Sequence, residues 1–244
     1  MLLDTIQIAK TNGKKLFAML IDPDKQNAKS LVQLADKINA VEGPDIILVG
    51  GSLLFTTIDD TISGLRSMTD KPIYLFPGSA MHVSDKADGI FLLSLISGRN
   101  PEFLIGQHVI AAPILAKSKL DIISTGYMLI GEENYSAVRY VSNTIPIPSS
   151  KPDIAVATAM AGQMLGLKMI YLEAGSGAEQ PVSESMIKAV RSAVDLPLIV
   201  GGGLRCVADV EIALRAGADI VVVGTSIENG SLGVEKIASV VHSF

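Results

Sequence analysis

Three glycine-bearing turns punctuate the second half of the chain: AGSGA at 174–178, GGG at 201–203 and GTS at 224–226. Each follows a short apolar run rich in β-branched residues, which places each at the end of a strand. Glycine lets the backbone take positive φ and bring its N–H groups close to an anion. One such turn is no more than a tight strand-to-helix connection. Three neighbouring turns, however, form a phosphate cup of the kind parallel β/α barrels build after their seventh and eighth strands, where a helix N-terminus also faces the anion. The strand that ends in Gly201 to Gly203 is expected to be followed by a helix.

Side-chain alternation in MIYLE puts Tyr171 and Glu173 on one face of their strand and Leu172 on the other. With that face inward, Glu173 stands at the mouth beside the cup. A carboxylate there takes a proton from a substrate hydroxyl or holds a glycerol or sugar hydroxyl. Its structural alternative is to cap its own turn by accepting backbone amides. Lys168 begins the same strand, the wrong end for Schiff-base chemistry.

A second centre lies at Ile21-Asp22-Pro23-Asp24-Lys25, which leaves two carboxylates at the same rim. Hard oxygen ligands suit Mg²⁺, which binds through one or two carboxylates plus substrate phosphates. A turn with aspartate as helix N-cap explains the same residues equally well. Ser52, after Gly50 and Gly51, is placed to add a hydroxyl to a metal shell, although serine also caps many such loops. Asp59 and Asp60 read as first-turn residues favoured by a helix dipole. His82, His108 and His242 show no ligand spacing, so no zinc site is assigned, and Cys206 reads as a small packing residue.

The elements that must hold these groups alternate in the manner of βα units around a parallel sheet. Strands are expected at 15–21, 45–51, 72–78, 89–96, 121–129, 169–175, 196–202 and 219–225, and helices at 28–41, 57–68, 154–165, 183–194, 207–217 and 234–241. Eight strands close a TIM (β/α)8 barrel. Residues 79–88 are barely long enough for a crossover and lack helical spacing, so a loop is expected to replace the third helix. Residues 130–153 form a long connection, expected to be a lid or ligand wall.

A chain of 244 residues with 48% hydrophobic content suits one domain spanning 1–244. The apolar runs are too short to cross a bilayer, and no secretory signal pattern opens the chain. With a single cysteine no intrachain disulfide can form, and a cytoplasmic location is expected. A formal charge of −5 without a dense basic stripe argues against nucleic acid as a partner. Anionic ligands must therefore be held by backbone amides, helix ends or a metal.

With IDPDK (21–25), VGGS (49–52), YLEAGSGA (171–178), GGGLR (201–205) and ADIVVVGT (218–225) in this order, supported by FPGS (76–79) and STGYML (124–129), the chain resembles the geranylgeranylglyceryl phosphate synthase family. The resemblance spans nearly the whole chain. It implies a barrel whose third helix is a loop, and an Mg²⁺-dependent transfer of a polyprenyl group from its diphosphate to the 3-hydroxyl of sn-glycerol 1-phosphate, giving an ether lipid precursor and diphosphate. It also implies that Asp22 and Ser52 hold Mg²⁺ and that Glu173 is the base. Tyr171, Leu172, Glu173, Ala174, Gly175, Ser176, Gly177, Gly202, Gly203, Gly224 and Thr225 are implied to hold glycerol phosphate. Where the family carries asparagine this chain has Thr225, whose backbone N–H can still serve. A homo-oligomer, transient contact with a membrane surface for the product, and an apolar channel walled by the fourth strand, Tyr127 and the lid complete the implication. The residues by themselves leave two other readings: a phosphosugar isomerase using the same cup and Glu173, and a non-catalytic phosphometabolite-binding protein.

Overall fold

Eight short strands are hydrogen-bonded in chain order and all in parallel: β1 Leu16–Ile21, β2 Ile46–Val49, β3 Ile73–Leu75, β4 Gly89–Leu95, β5 Asp121–Leu129, β6 Met169–Glu173, β7 Leu198–Gly201 and β8 Ile220–Val223. Pairing of Leu16 with Ile220 and of Met19 with Val223 closes β8 onto β1. The computed structural model describes residues 1–131 and 136–244.

Most strands are buried on both faces, which is why they read as nearly continuous apolar runs. Alternation sorts their residues. Ala18, Leu48, Phe91, Tyr127, Tyr171 and Val222 fill the barrel interior, while Met19, Val49, Ile90, Leu172, Val200 and Val221 pack outward under the helices. The outer layer comprises α2 (Ala28–Ile38), α3 (Ile58–Arg66), α4 (Gln107–Leu115), α5 (Ala137–Ser142), α6 (Pro152–Met164), α7 (Glu184–Ala193), α8 (Val207–Ala216), α9 (Thr225–Glu228) and α10 (Val234–His242). Between β3 and β4 no helix forms, as the length of that connection predicts.

Several elements lie outside the sequence expectation, α4, α5 and α9 among them. The chain begins with α1 (Leu2–Thr11), which seals the barrel floor with Leu2 and Ile6, and the Leu2 N–H donates to Asp121 Oδ2 at 2.9 Å. An unexpected π-helical turn at Glu102–Gly106 leads into α4. After β7 the expected helix, α8, starts at Val207, and the Asp209 carboxylate accepts the N–H groups of Arg205 and Cys206 at 2.9 and 3.0 Å. Asp209 therefore caps that helix from within its own first turn. The short α9, entered from Gly224, stands at the cup.

Candidate active site

The glycine turns of β6, β7 and β8 meet at one end of the barrel. Gly202 sits at φ +77°, and a Cβ there would stand 2.3 Å from Glu173 Oε1 and 2.7 Å from the Gly175 nitrogen. Only glycine fits, because the backbone conformation and the space both exclude a side chain. Across the cup, Ser176 Oγ and Thr225 Oγ1 are 3.2 Å apart, which joins the β6 turn to α9.

A cavity of about 520 Å³ runs from this cup across the barrel mouth. Ser176, Gly177, Gly202, Gly203, Gly224 and Thr225 line its polar end. Its other arm is apolar and includes Phe76, Val83, Leu92, Leu93, Ala111 and Val138. Ile90 and Leu92 lie on the outward side of β4 and Leu93 and Leu95 on the inward side, yet all four line the cavity. The arm thus spills over the top of β4 into the space left by the missing third helix. Val138 and Val141 of α5 form a further wall, so the described part of the 130–153 connection does serve as one. Residues 132–135 of the expected lid lie outside the described residues. His108 also lines this arm, with Nε2 3.0 Å from Ser94 Oγ, and burial pulls its pKa below the ordinary histidine value.

Glu173 stands where the two arms join. Its side chain points inward, the residue is only 6% exposed, and Oε1 accepts the Gly175 N–H at 2.7 Å. The carboxyl therefore both lines the cavity and fixes its own turn. Burial pushes its pKa up to about 7, against the opposing pull of the Gly175 N–H and of the Tyr171 and Tyr127 phenols. The Tyr171 hydroxyl lies beside the carboxyl without a well-formed hydrogen bond and is otherwise unpartnered. Phe76, Tyr127 and Tyr171 form a three-ring cluster under Glu173, with centroid separations of 5.2 to 6.0 Å. Leu172 and Ala174 point into the layer between sheet and helices, so only their backbone faces the turn, and Gly175 contributes through its N–H.

Next to the cup, at the end of β1 beside β8, Asp22 lines the cavity together with Ser52, and Asp22 caps the 3₁₀ turn Pro23–Lys25 by accepting the Asp24 N–H at 3.1 Å. Asp24 faces away, holding the next loop through the N–H groups of Phe55 and Thr56. A Cβ on Gly51 would lie 3.6 Å from Asp22 Oδ1, so the turn bearing Ser52 packs against this carboxylate. One carboxylate and one hydroxyl fit Mg²⁺, which takes few protein ligands and completes its shell with water and phosphate oxygens. No group of three acidic, His or Cys side chains suited to a metal occurs among the described residues.

Sequence reasoning gave no role to Lys25 and missed Glu228. Lys25 Nζ lies 2.8 Å from Glu228 Oε2 and 3.4 Å from Asp22 Oδ2, and Glu228 Oε1 accepts the Asp22 N–H at 3.1 Å. Partial burial pulls the Lys25 ammonium down, but Glu228 and then Asp22 outweigh it and hold its pKa above the ordinary value. Lys25 was visible within IDPDK, whereas Glu228 had no local signal.

An eight-stranded parallel barrel with a glycine cup, a buried carboxyl beside it and an apolar arm defines a phosphate-binding β/α-barrel enzyme. The chain belongs to the PcrB family, whose profile matches residues 7–243. Its relatives include a geranylgeranylglyceryl phosphate synthase of Chitinophaga pinensis, 50% identical over 235 residues that cover 96% of this chain and 93% of the relative. Another, from Spirosoma linguale, is 48% identical over 236 residues, covering 96% and 94%. Among solved structures, the (S)-3-O-geranylgeranylglyceryl phosphate synthase of Thermoplasma acidophilum, in complex with sn-glycerol-1-phosphate, matches with a TM-score of 0.92 at 32% identity, covering 99% of this chain and 98% of that one. No helix among the described residues is long and apolar enough to cross a membrane.

Proposed function

We propose that this protein transfers a geranylgeranyl or similar polyprenyl group from its diphosphate to the 3-hydroxyl of sn-glycerol 1-phosphate. The observation that carries the reading is the placement of Glu173, a buried carboxyl at the junction of a glycine-lined cup and an apolar arm. Glycerol phosphate sits with its phosphate in the cup and its free primary hydroxyl towards Glu173. The prenyl chain lies in the arm, which puts its allylic carbon over the junction.

The bond between that carbon and the diphosphate oxygen breaks, and its electron pair leaves with diphosphate. The glycerol oxygen forms the new ether bond as its proton passes to Glu173. Near neutral pH a carboxyl with a pKa of about 7 is poised for that task. Phe76, Tyr127 and Tyr171 line the cavity next to Glu173, and their rings would offset positive charge developing on the allylic carbon. Asp22 and Ser52 are the residues that would hold Mg²⁺, which when bound neutralises charge on the leaving diphosphate. An isomerase acting on a phosphosugar has no use for the apolar arm.

Incubation with sn-glycerol 1-phosphate, a ladder of labelled polyprenyl diphosphates and Mg²⁺ tests the reading. Organic-extractable ether product that requires glycerol phosphate is expected. No product at any chain length refutes the transfer, and turnover unchanged by strong chelation refutes the metal. We further infer that the exposed apolar face of α4, with Val109, Ile110 and Ile114, is covered by a second copy. Light scattering of Ile110→Glu against the parent checks this, with a smaller particle expected.

A further inference from the structure

The Lys25 bridge lies between the two anion sites. Asp22 belongs to the β1 rim, Glu228 ends α9 beside the cup, and Lys25 spans them while itself lining the cavity. Cup and rim differ in charge. The cup presents neutral backbone amides and hydroxyls, and among described residues the lysine and arginine side chains that line the cavity are Lys25 and Arg205. Arg205 follows the β7 glycines on the cup side, so Lys25 is the cation on the rim side.

Leaving-group chemistry places its largest charge build-up at the rim, as an ester oxygen becomes one more anionic oxygen of free diphosphate. In a chain of formal charge −5, a mobile ammonium there opposes that build-up directly. Lysine suits this role because its three donors ride on a flexible four-carbon stem. Glu228 keeps a second attachment through the Asp22 N–H at 3.1 Å, so it stays in place when the ammonium moves off it.

We propose that Lys25 is a diphosphate-binding residue, held between Glu228 and Asp22 in the free enzyme and shifting to the diphosphate oxygens as the carbon–oxygen bond breaks. This rests on the prenyl-transfer reading and names a protein group for its leaving anion. The Glu228 and Asp22 carboxylates hold the ammonium aimed across the mouth until an anion with greater charge displaces them.

Calorimetric titration with inorganic diphosphate tests the assignment, in Mg²⁺ and separately in EDTA, with sn-glycerol 1-phosphate titrated in parallel. Lys25→Met should weaken diphosphate binding about tenfold or more in both buffers, while glycerol phosphate binding stays within about twofold. Lys25→Arg, which keeps the charge, should stay within about threefold of the parent, and Glu228→Gln, which frees the ammonium, should bind diphosphate at least as tightly. Unchanged diphosphate affinity in Lys25→Met overturns the proposal. Equal weakening of both ligands also overturns it, since Lys25 would then be a strut that shapes the cup. A parent protein that binds diphosphate through Lys25 but forms no ether product refutes prenyl transfer and leaves the anion site standing.

Discussion

Around one rim the barrel carries two halves built on opposite means. From β6 to β8 the surface is backbone: glycine turns, the Gly175 N–H and the entry to α9. From β3 to β5 the surface is side chain and space, namely Phe76, Leu92, Leu93 and Ala111 around the gap left by an absent helix. A backbone surface tolerates little substitution where it is tight, since a Cβ at Gly202 or Gly203 would fall within 2.3 or 2.7 Å of its neighbours. An apolar wall needs only residues that keep water out, and many side chains satisfy that.

Glu173 sits on the seam, so its replacement should have the largest effect. Glu173→Gln is expected to lower kcat on the order of a thousandfold in the product assay, while glycerol phosphate still binds. In the parent, kcat/KM should rise with pH and level off above about 7, where the base is ionised. Stability should move the other way. The folded chain keeps the Glu173 proton up to about pH 7, whereas the unfolded chain releases it near 4.5, so ionising the buried group costs stability on the order of 3 kcal/mol at high pH. Glu173→Gln should therefore melt above the parent at pH 8, an advantage that vanishes below about pH 4. Equal melting at pH 8 would show that the carboxyl is not desolvated and would break the contrast between seam and solvent.

Gly202→Ala comes next and tests the backbone half. The φ of +77° costs alanine about 1–2 kcal/mol, and its Cβ would fall 2.3 Å from Glu173 Oε1. Displacing that carboxyl should reduce kcat/KM by about a hundredfold. The side-chain half should answer differently. Ala111→Phe fills part of the arm, so kcat/KM should fall about ten- to a hundredfold with the longest diphosphates and hardly at all with short ones. The KM for glycerol phosphate should not change. Losses independent of chain length would show that the arm does not hold the chain.

The same contrast explains what could be read from the residues alone. Eight strands were legible because burial on both faces demands runs such as IVVV at 220–223, and the missing helix was legible because residues 79–88 leave no room for one. The cup was legible because only glycine fits at Gly202. Helix α4 was not, since Pro113 lies inside it and Val109, Ile110 and Ile114 face solvent while Ala111 and Leu115 face inward, leaving no one-sided stripe. Nor was α1, which buries only Leu2 and Ile6. Lys25 and Glu228 are 203 positions apart, and closure of β8 onto β1 brings them together. No local spacing encodes that pair.

The smallest effect is expected where the cup depends least on side chains. Thr225→Val removes the hydroxyl contact with Ser176 Oγ at 3.2 Å but leaves the backbone N–H in place. An exposed neutral hydrogen bond contributes about 1 kcal/mol or less, so the KM for glycerol phosphate should rise no more than about fivefold and kcat should hold. A hundredfold rise would place phosphate recognition in the Thr225 side chain instead of the turn. Gly202 would then matter only for its fit against Glu173, and the difference between a backbone half and a side-chain half would fail at the position where it is most exposed to test.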